Sequence, residues 1–350
     1  MEKNRNIISD RQINIGLCIL RMLMCFEVVL CHFWYDDHYF KILIPFSMLR
    51  DYAVPVFMLM SFLLTQKIFV SNDNVRIKKR FWRIVWPQVG WGVLYGIVYM
   101  FVDVCFDVHI VRGISDMFWQ IFTGHSPQLN ATMWYQVVLI VISAIYFGVF
   151  YFCSRQKGML IIFILMVFAL LMQYSGLNYA LFSGMRYELK YPLGRICEMI
   201  PYAFIGFSFA YYGIFDQLKK HRIIIVASSI LIGLLLAIIP YMSFFSSVHG
   251  FGYSGIQKIC VAILLVVVAV LFPFDSMPVK VKNIILVISR YTLGIYCMHR
   301  MTGTFMRLFL ERLGIESGTF LLCVLNYIVC YFISAFIAAF PGKLCRQLVE

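Results

Sequence analysis

The apolar residues of this 350-residue chain come in ten long blocks, and that pattern restricts the fold more than any other feature. The blocks cover about residues 12–34, 50–69, 83–103, 131–152, 159–176, 196–214, 223–243, 256–273, 284–302 and 318–339. A helix of about 20 residues rises roughly 30 Å, the thickness of the hydrocarbon core of a bilayer. In that core every backbone amide needs a partner inside its own segment, which such a block meets by coiling into a helix. With 62% hydrophobic and only 13% charged residues, a soluble fold of this size could not cover its surface. The expectation is an all-α, polytopic membrane helix bundle of about ten transmembrane helices. It forms one transmembrane domain over residues 1–350, with no soluble domain. Blocks 50–69 and 284–302 are the least regular, because they hold polar residues or a proline. At Pro55, neighbouring helices are expected to satisfy the freed carbonyl.

The formal charge of +13 would suggest nucleic acid in a soluble protein. Here the cations sit in short stretches between apolar blocks, so topology accounts for most of them and no nucleic-acid partner is expected. With ten spans both termini share a side. Of the 30 Lys and Arg residues, 18 then fall on that side, which the positive-inside rule makes cytosolic. The first block is too long for a signal-peptide core and is expected to stay as the first span. The outer connections 104–130 and 177–195 are long enough for a lid or a substrate-binding surface. The eleven cysteines show no CxxC pair and no zinc-like spacing, so they read as small buried hydrophobes and no metal ligands are expected.

An ionisable side chain inside a span is costly and marks a functional position by default. The first span carries Arg21, Glu27 and His32. Arg21 and His32 lie eleven residues apart, about 16 Å and close to three full turns, so they share a face. Arg21 falls toward the cytosolic side and His32 toward the outer side, a line that suits a path from a cytosolic reagent to an outer acceptor. An imidazole is well matched to proton transfer near neutral pH, so His32 is either a general base or a satisfied interfacial histidine. Asp36 and Asp37 either orient it or cap the helix. Glu27 is about 140° around the helix from His32 and is expected to meet another helix. Cys31 points about 100° away from His32 and is not assigned as an acyl relay.

Arg76, Lys78, Lys79, Arg80 and Arg83 crowd into eight positions after the second block. They read either as a positive-inside loop touching lipid headgroups or as a cradle for an anionic, phosphate-bearing ligand. Ser289, Tyr296 and His299 lie in or near the ninth block. Arg290 can snorkel from its cytosolic end, and His299 reaches the level of His32. Trp134 and Tyr135 open the fourth block and read, on residue type alone, as interface anchors. Arg195 and Glu198 have the i,i+3 spacing of an ion pair. Taken without a family, these features fit an enzyme or a transporter or flippase for an envelope glycan or lipid.

Five stretches, taken in order, resemble the membrane-bound acyltransferase 3 family, which includes bacterial envelope O-acetyltransferases. Arg21 and His32 fit its arginine, ten residues, histidine signature. VPVFMLMSFLLT at 54–65 resembles its second helix, KKRFWRIVWP at 78–87 its basic stretch, MWYQVVL at 133–139 its tryptophan-aromatic opening, and SRYTLGIYCMH at 289–299 its late helix. Where the family usually has serine-glycine, this chain has Ser61–Phe62, and phenylalanine does not allow the close backbone approach of glycine.

The resemblance implies transfer of an acyl group, above all acetyl, from cytosolic acyl-CoA to a hydroxyl outside. His32 would be the essential histidine and Arg21 its partner. Arg80 and Arg83, with Arg76, Lys78 and Lys79 beside them, would engage the coenzyme A moiety. Trp134, Tyr296 and His299 would line or support the site. Acyl-CoA is expected as a donor substrate, with no permanently bound cofactor. The expected partners are membrane lipids and an envelope glycan or lipid-linked sugar as acceptor. The expected location is the bacterial inner membrane.

Overall fold

A computed structural model describes residues 3–33, 52–106, 114–124, 132–185, 187–238, 253, 255–314 and 320–350. Among them are fifteen α-helices and no strand. In chain order they are α1 (Lys3–Phe33), α2 (Ala53–Val70), α3 (Asn74–Phe106), α4 (Ile114–Thr123), α5 (Trp134–Phe152), α6 (Arg155–Tyr174), α7 (Leu177–Phe182), α8 (Tyr187–Tyr211), α9 (Ile214–Leu218), α10 (Arg222–Ile238), α11 (Ile256–Leu271), α12 (Val279–Arg290), α13 (Thr292–Arg312), α14 (Phe320–Ala339) and α15 (Lys343–Val349).

Helix stands at each of the ten apolar blocks, and the all-α polytopic class holds. The count of full spans is smaller. Among the described residues α1, α2, α3, α5, α6 and α14 are long and apolar enough to cross a bilayer. α12 and α13 together make a seventh, broken at a 54° bend around Tyr291. The single span expected over 284–302 is therefore a broken one. At 16 residues α11 is short, and α8 carries Pro192, Pro201, Arg195 and Glu198 among its apolar residues.

Two connections differ from expectation. The stretch 177–195, expected as a lid or a substrate-binding surface, is largely α7 and the opening turns of α8, and its Tyr191 and Arg195 line a cavity. The basic cluster is not a loop. It forms the opening turns of α3, capped by the Asp73 carboxylate, which accepts the amides of Val75 and Arg76 at 3.1 Å each. Pro55 falls in the first turn of α2, where an amide has no helical partner anyway, so it removes no hydrogen bond. Asp36 and Asp37 lie outside the described residues.

α1 is the central element, packed on α2, α11, α12, α13 and α14, and α2 makes its most extensive contact with α8. That last contact is close because Gly206 of α8 has no Cβ to strike the Leu59 carbonyl. Phe62 turns into a buried aromatic cluster, 4.6 Å from the Tyr146 ring and stacked at 5.8 Å on Phe69. The outward faces of α6, α10 and α14 expose Phe168, Leu234, Phe332 and Phe336, as helices bathed in hydrocarbon do.

The short α15 folds back beneath α3. Trp86 and Trp91 donate their indole N–H groups to the carbonyls of Leu344 and Leu348 at 3.0 and 2.8 Å, and Trp82 donates to Gln347 at 3.0 Å. The bond to Leu348 also satisfies a terminal carbonyl of α15 that has no helical partner.

Candidate active site

Two cavities lie along α1, one at the level of Arg21 and one at the level of His32. The lower, of about 240 Å³, is at the end of the bundle where α2 finishes and α3 begins. Its wall is mainly apolar (Phe57, Met60, Leu64, Leu139, Leu293), with Arg21, Ser61, Tyr135, Thr292 and Glu350 as its polar points. Among the described residues Arg21 has no carboxylate partner. Among those residues its Nη2 reaches the Cys18 sulfur at 3.9 Å, and its buried Nε finds no partner. A guanidinium left so in hydrocarbon costs several kcal/mol, which an anion in this cavity would offset.

Arg80 does not line this cavity but comes up behind its wall at Ser61. Its Nη2 donates to Ser61 Oγ at 3.1 Å and to Ser143 Oγ at 3.2 Å, and its guanidinium stacks at 5.7 Å on Phe62 and 5.3 Å on Phe69. Phe62 thus serves as a cushion for Arg80 and does not line the cavity. The other four cations stay outside. Lys78, Lys79 and Arg83 are exposed, and Arg76 is exposed and paired with Asp73 at 3.0 Å.

The upper cavity, of about 290 Å³, is lined by Glu27, Val28, Cys31 and His32 of α1, Ala53 and Val54 of α2, Thr132 and Trp134 at the start of α5, Tyr191 and Arg195 of α8, and Tyr253 and Tyr296. Two expectations change here. Glu27 and Cys31 do not turn away from His32; they line the same cavity, and the Cys31 thiol donates to Glu27 Oε1 at 3.1 Å. A helix face seen by a cavity can exceed 100° in width, so side chains 140° apart can both reach it. Trp134 and Tyr135 are not interface anchors. Both are buried, Trp134 against the upper cavity and Tyr135 against the lower.

Arg195 forms the ion pair that its spacing suggested, 2.7 Å from Glu198. Its guanidinium also sits within 4.7–4.9 Å of the ring centres of Trp134, Tyr191 and Tyr253. The result is a wall of three mutually inclined aromatic rings braced by one cation, in the cavity of His32. Glu27, Thr132, Tyr191, Arg195 and Tyr253 were not placed at the site from sequence. The charge of Glu27 inside a span and the Arg195–Glu198 spacing offered signals, but neither gave the location.

His299 lines neither cavity. It is fully buried, its ring centre 5.3 Å from that of His32, and its Nδ1 donates to the Tyr296 carbonyl at 2.7 Å. Asn326 of α14 clamps this turn of α13, donating to the His299 carbonyl at 2.9 Å and accepting from Thr302 at 2.5 Å. Gly303, one turn further along α13, leaves room for the Phe33 ring and lets the end of α1 lie close. Tyr296 reaches both cavities, and its hydroxyl donates to the Thr132 carbonyl at 2.5 Å.

The lower cavity offers cations near a mainly apolar slot, and the upper offers an imidazole and a carboxylate beside aromatic faces. The pair suits reaction between an anionic donor on one side and a polar acceptor on the other. No curated protein and no solved structure gives a significant match to the chain. The family model of the acyltransferase domain of acyltransferase 3 matches residues 14–339, a range holding every site residue above except Glu350. The multi-pass helical frame and this match, which spans nearly the whole chain, together show that the chain belongs to the acyltransferase 3 family and is a membrane acyltransferase.

Proposed function

We propose that the protein is a bacterial inner-membrane O-acyltransferase that moves an acyl group, in the simplest case acetyl, from cytosolic acyl-CoA to a hydroxyl of an extracytoplasmic envelope glycan. The observation that carries the reading is the pair of cavities along α1, one holding Arg21, which has no carboxylate partner among the described residues, and the other holding His32. The acyl-CoA phosphates engage Arg76, Lys78, Lys79 and Arg83 on the outer turns of α3. Arg80 and Arg21 draw the thioester end into the lower cavity. The acceptor enters the upper cavity and stacks on Trp134, Tyr191 and Tyr253. His32 takes the proton from the acceptor hydroxyl as its oxygen bonds to the thioester carbonyl. The carbon–sulfur bond then breaks, and the coenzyme A thiolate leaves with the proton delivered by His32.

This direction of transfer requires both termini and the basic end of α3 to face the cytosol, as the distribution of Lys and Arg favours. A transporter reading has less support, because the family match covers nearly the whole chain and implies transferase chemistry. The test is mass analysis of envelope glycans from cells with and without the gene, paired with transfer from labelled acetyl-CoA in membrane vesicles. The expected result is a gene-dependent acyl mass on a glycan and label moving to it. Glycans of identical mass, with no release of label from acetyl-CoA, would overturn the proposal.

A further inference from the structure

We propose that Tyr296 is the partition between the donor and acceptor compartments and that its ring sets the size of acyl group that crosses. Among the described residues it is the one side chain that lines both the cavity of Arg21 and the cavity of His32. It is 5% exposed, so it fills the space between them rather than standing at a rim.

The ring is fixed from several sides. It meets Phe57 of α2 edge-on at 6.3 Å and Tyr135 of α5 at 5.9 Å, and it lies 6.1 Å from His299 on its own helix. Its hydroxyl donates to the backbone carbonyl of Thr132, in the turn just before α5. That bond ties α13 to the mouth of the acceptor cavity. Phe57 and Tyr135 line the donor cavity, whereas Thr132 lines the acceptor cavity, so the ring is gripped from one compartment and latched in the other.

A wall at this place does two jobs. It keeps water of the acceptor side from the thioester, the side reaction that a closed site prevents. It also admits a small acyl group more readily than a long one, because the slit beside a held ring has a fixed width. A tight apolar passage discriminates one methylene by roughly 10–200-fold.

The compartment assignment rests on the acyl-transfer reading, but the wall does not, and the experiment separates the two. Cys31 lies in the His32 cavity, beyond Tyr296 from Arg21, and is partly exposed there. Sealed vesicles with the basic end of α3 outward are treated with a membrane-impermeant maleimide, and Cys31 labelling is read by peptide mass. In the wild type Cys31 is expected to stay protected. Tyr296→Ala and Tyr296→Leu are expected to raise its labelling rate several-fold. Cys25, fully buried in the core, remains unlabelled while the fold is intact and reports on each variant.

In the same vesicles, transfer from acetyl-, propionyl- and butyryl-CoA is compared. The wild-type preference for acetyl is expected to fall toward unity in Tyr296→Ala, with acyl-CoA hydrolysis rising in the absence of acceptor. Tyr296→Phe keeps the ring and loses the latch, so it is expected to keep the chain-length preference and gain only hydrolysis. Equal Cys31 labelling in wild type, Tyr296→Ala and Tyr296→Leu would overturn the partition. A labelling difference with no turnover of any acyl-CoA by the wild type would support the wall and overturn the acyl-transfer reading instead.

Discussion

The imidazole of His299 lies 5.3 Å from that of His32, and its Nδ1 proton is already committed to the carbonyl of Tyr296. With that nitrogen held, His299 backs the His32 ring as a fixed neighbour. Asn326 and Thr302 hold the turn that carries it.

Loss of the His32 imidazole should remove general-base catalysis. His32→Ala is expected to lower acyl transfer by at least about 10²–10⁴-fold while acyl-CoA binding persists. Transfer rates in vesicles and a direct binding titration check this. Transfer at the wild-type rate would remove His32 from the chemistry.

Arg80 and Arg83 should behave differently, because one is folded inward and the other is exposed. Arg80→Gln breaks two hydrogen bonds and the stack on Phe62 and Phe69. It is expected to weaken acyl-CoA binding by tenfold or more and to cost about 1–3 kcal/mol of stability. Arg80→Lys is expected to rescue poorly, since an ammonium does not reproduce the fork. Arg83→Gln is expected to weaken binding only a few-fold, and less at high salt. Titration at two ionic strengths distinguishes the pair, and equal effects would contradict the geometry.

Gly303 should set the distance between α1 and α13. A Cβ there overlaps the Phe33 ring, next to His32. Gly303→Ala is expected to cost about 1–3 kcal/mol and to lower transfer, while adding Phe33→Ala should recover part of the activity. A double variant no better than the single one would show that this contact does not position His32.

Glu350 brings a carboxylate to the wall of the Arg21 cavity, 3.9 Å from Arg290. An anionic donor should feel it as repulsion. Glu350→Gln is expected to lower KM for acyl-CoA by up to about fivefold, the equivalent of about 1 kcal/mol for a partly exposed charge, with kcat little changed. A raised KM would instead make Glu350 a holder of Arg21 or Arg290.

The sequence by itself determined that the chain lives in lipid, where its main apolar helices lie, and that Arg21 and His32 lie on one line. These are one-dimensional properties, set by the length of an apolar run and by the 100° turn per residue. The Arg195–Glu198 pair was legible for the same reason, because both partners sit on one helix. The tertiary structure alone decided which of five neighbouring cations turns inward. Arg80 does so because Ser61 and Ser143, 19 and 63 residues away in the chain, receive it. It also decided that Glu27 shares a cavity with His32, that Trp134 is buried rather than interfacial, and that Tyr296 stands between two chambers. A cavity is the space left between several helices, and no single helix carries the information on which neighbour will face it.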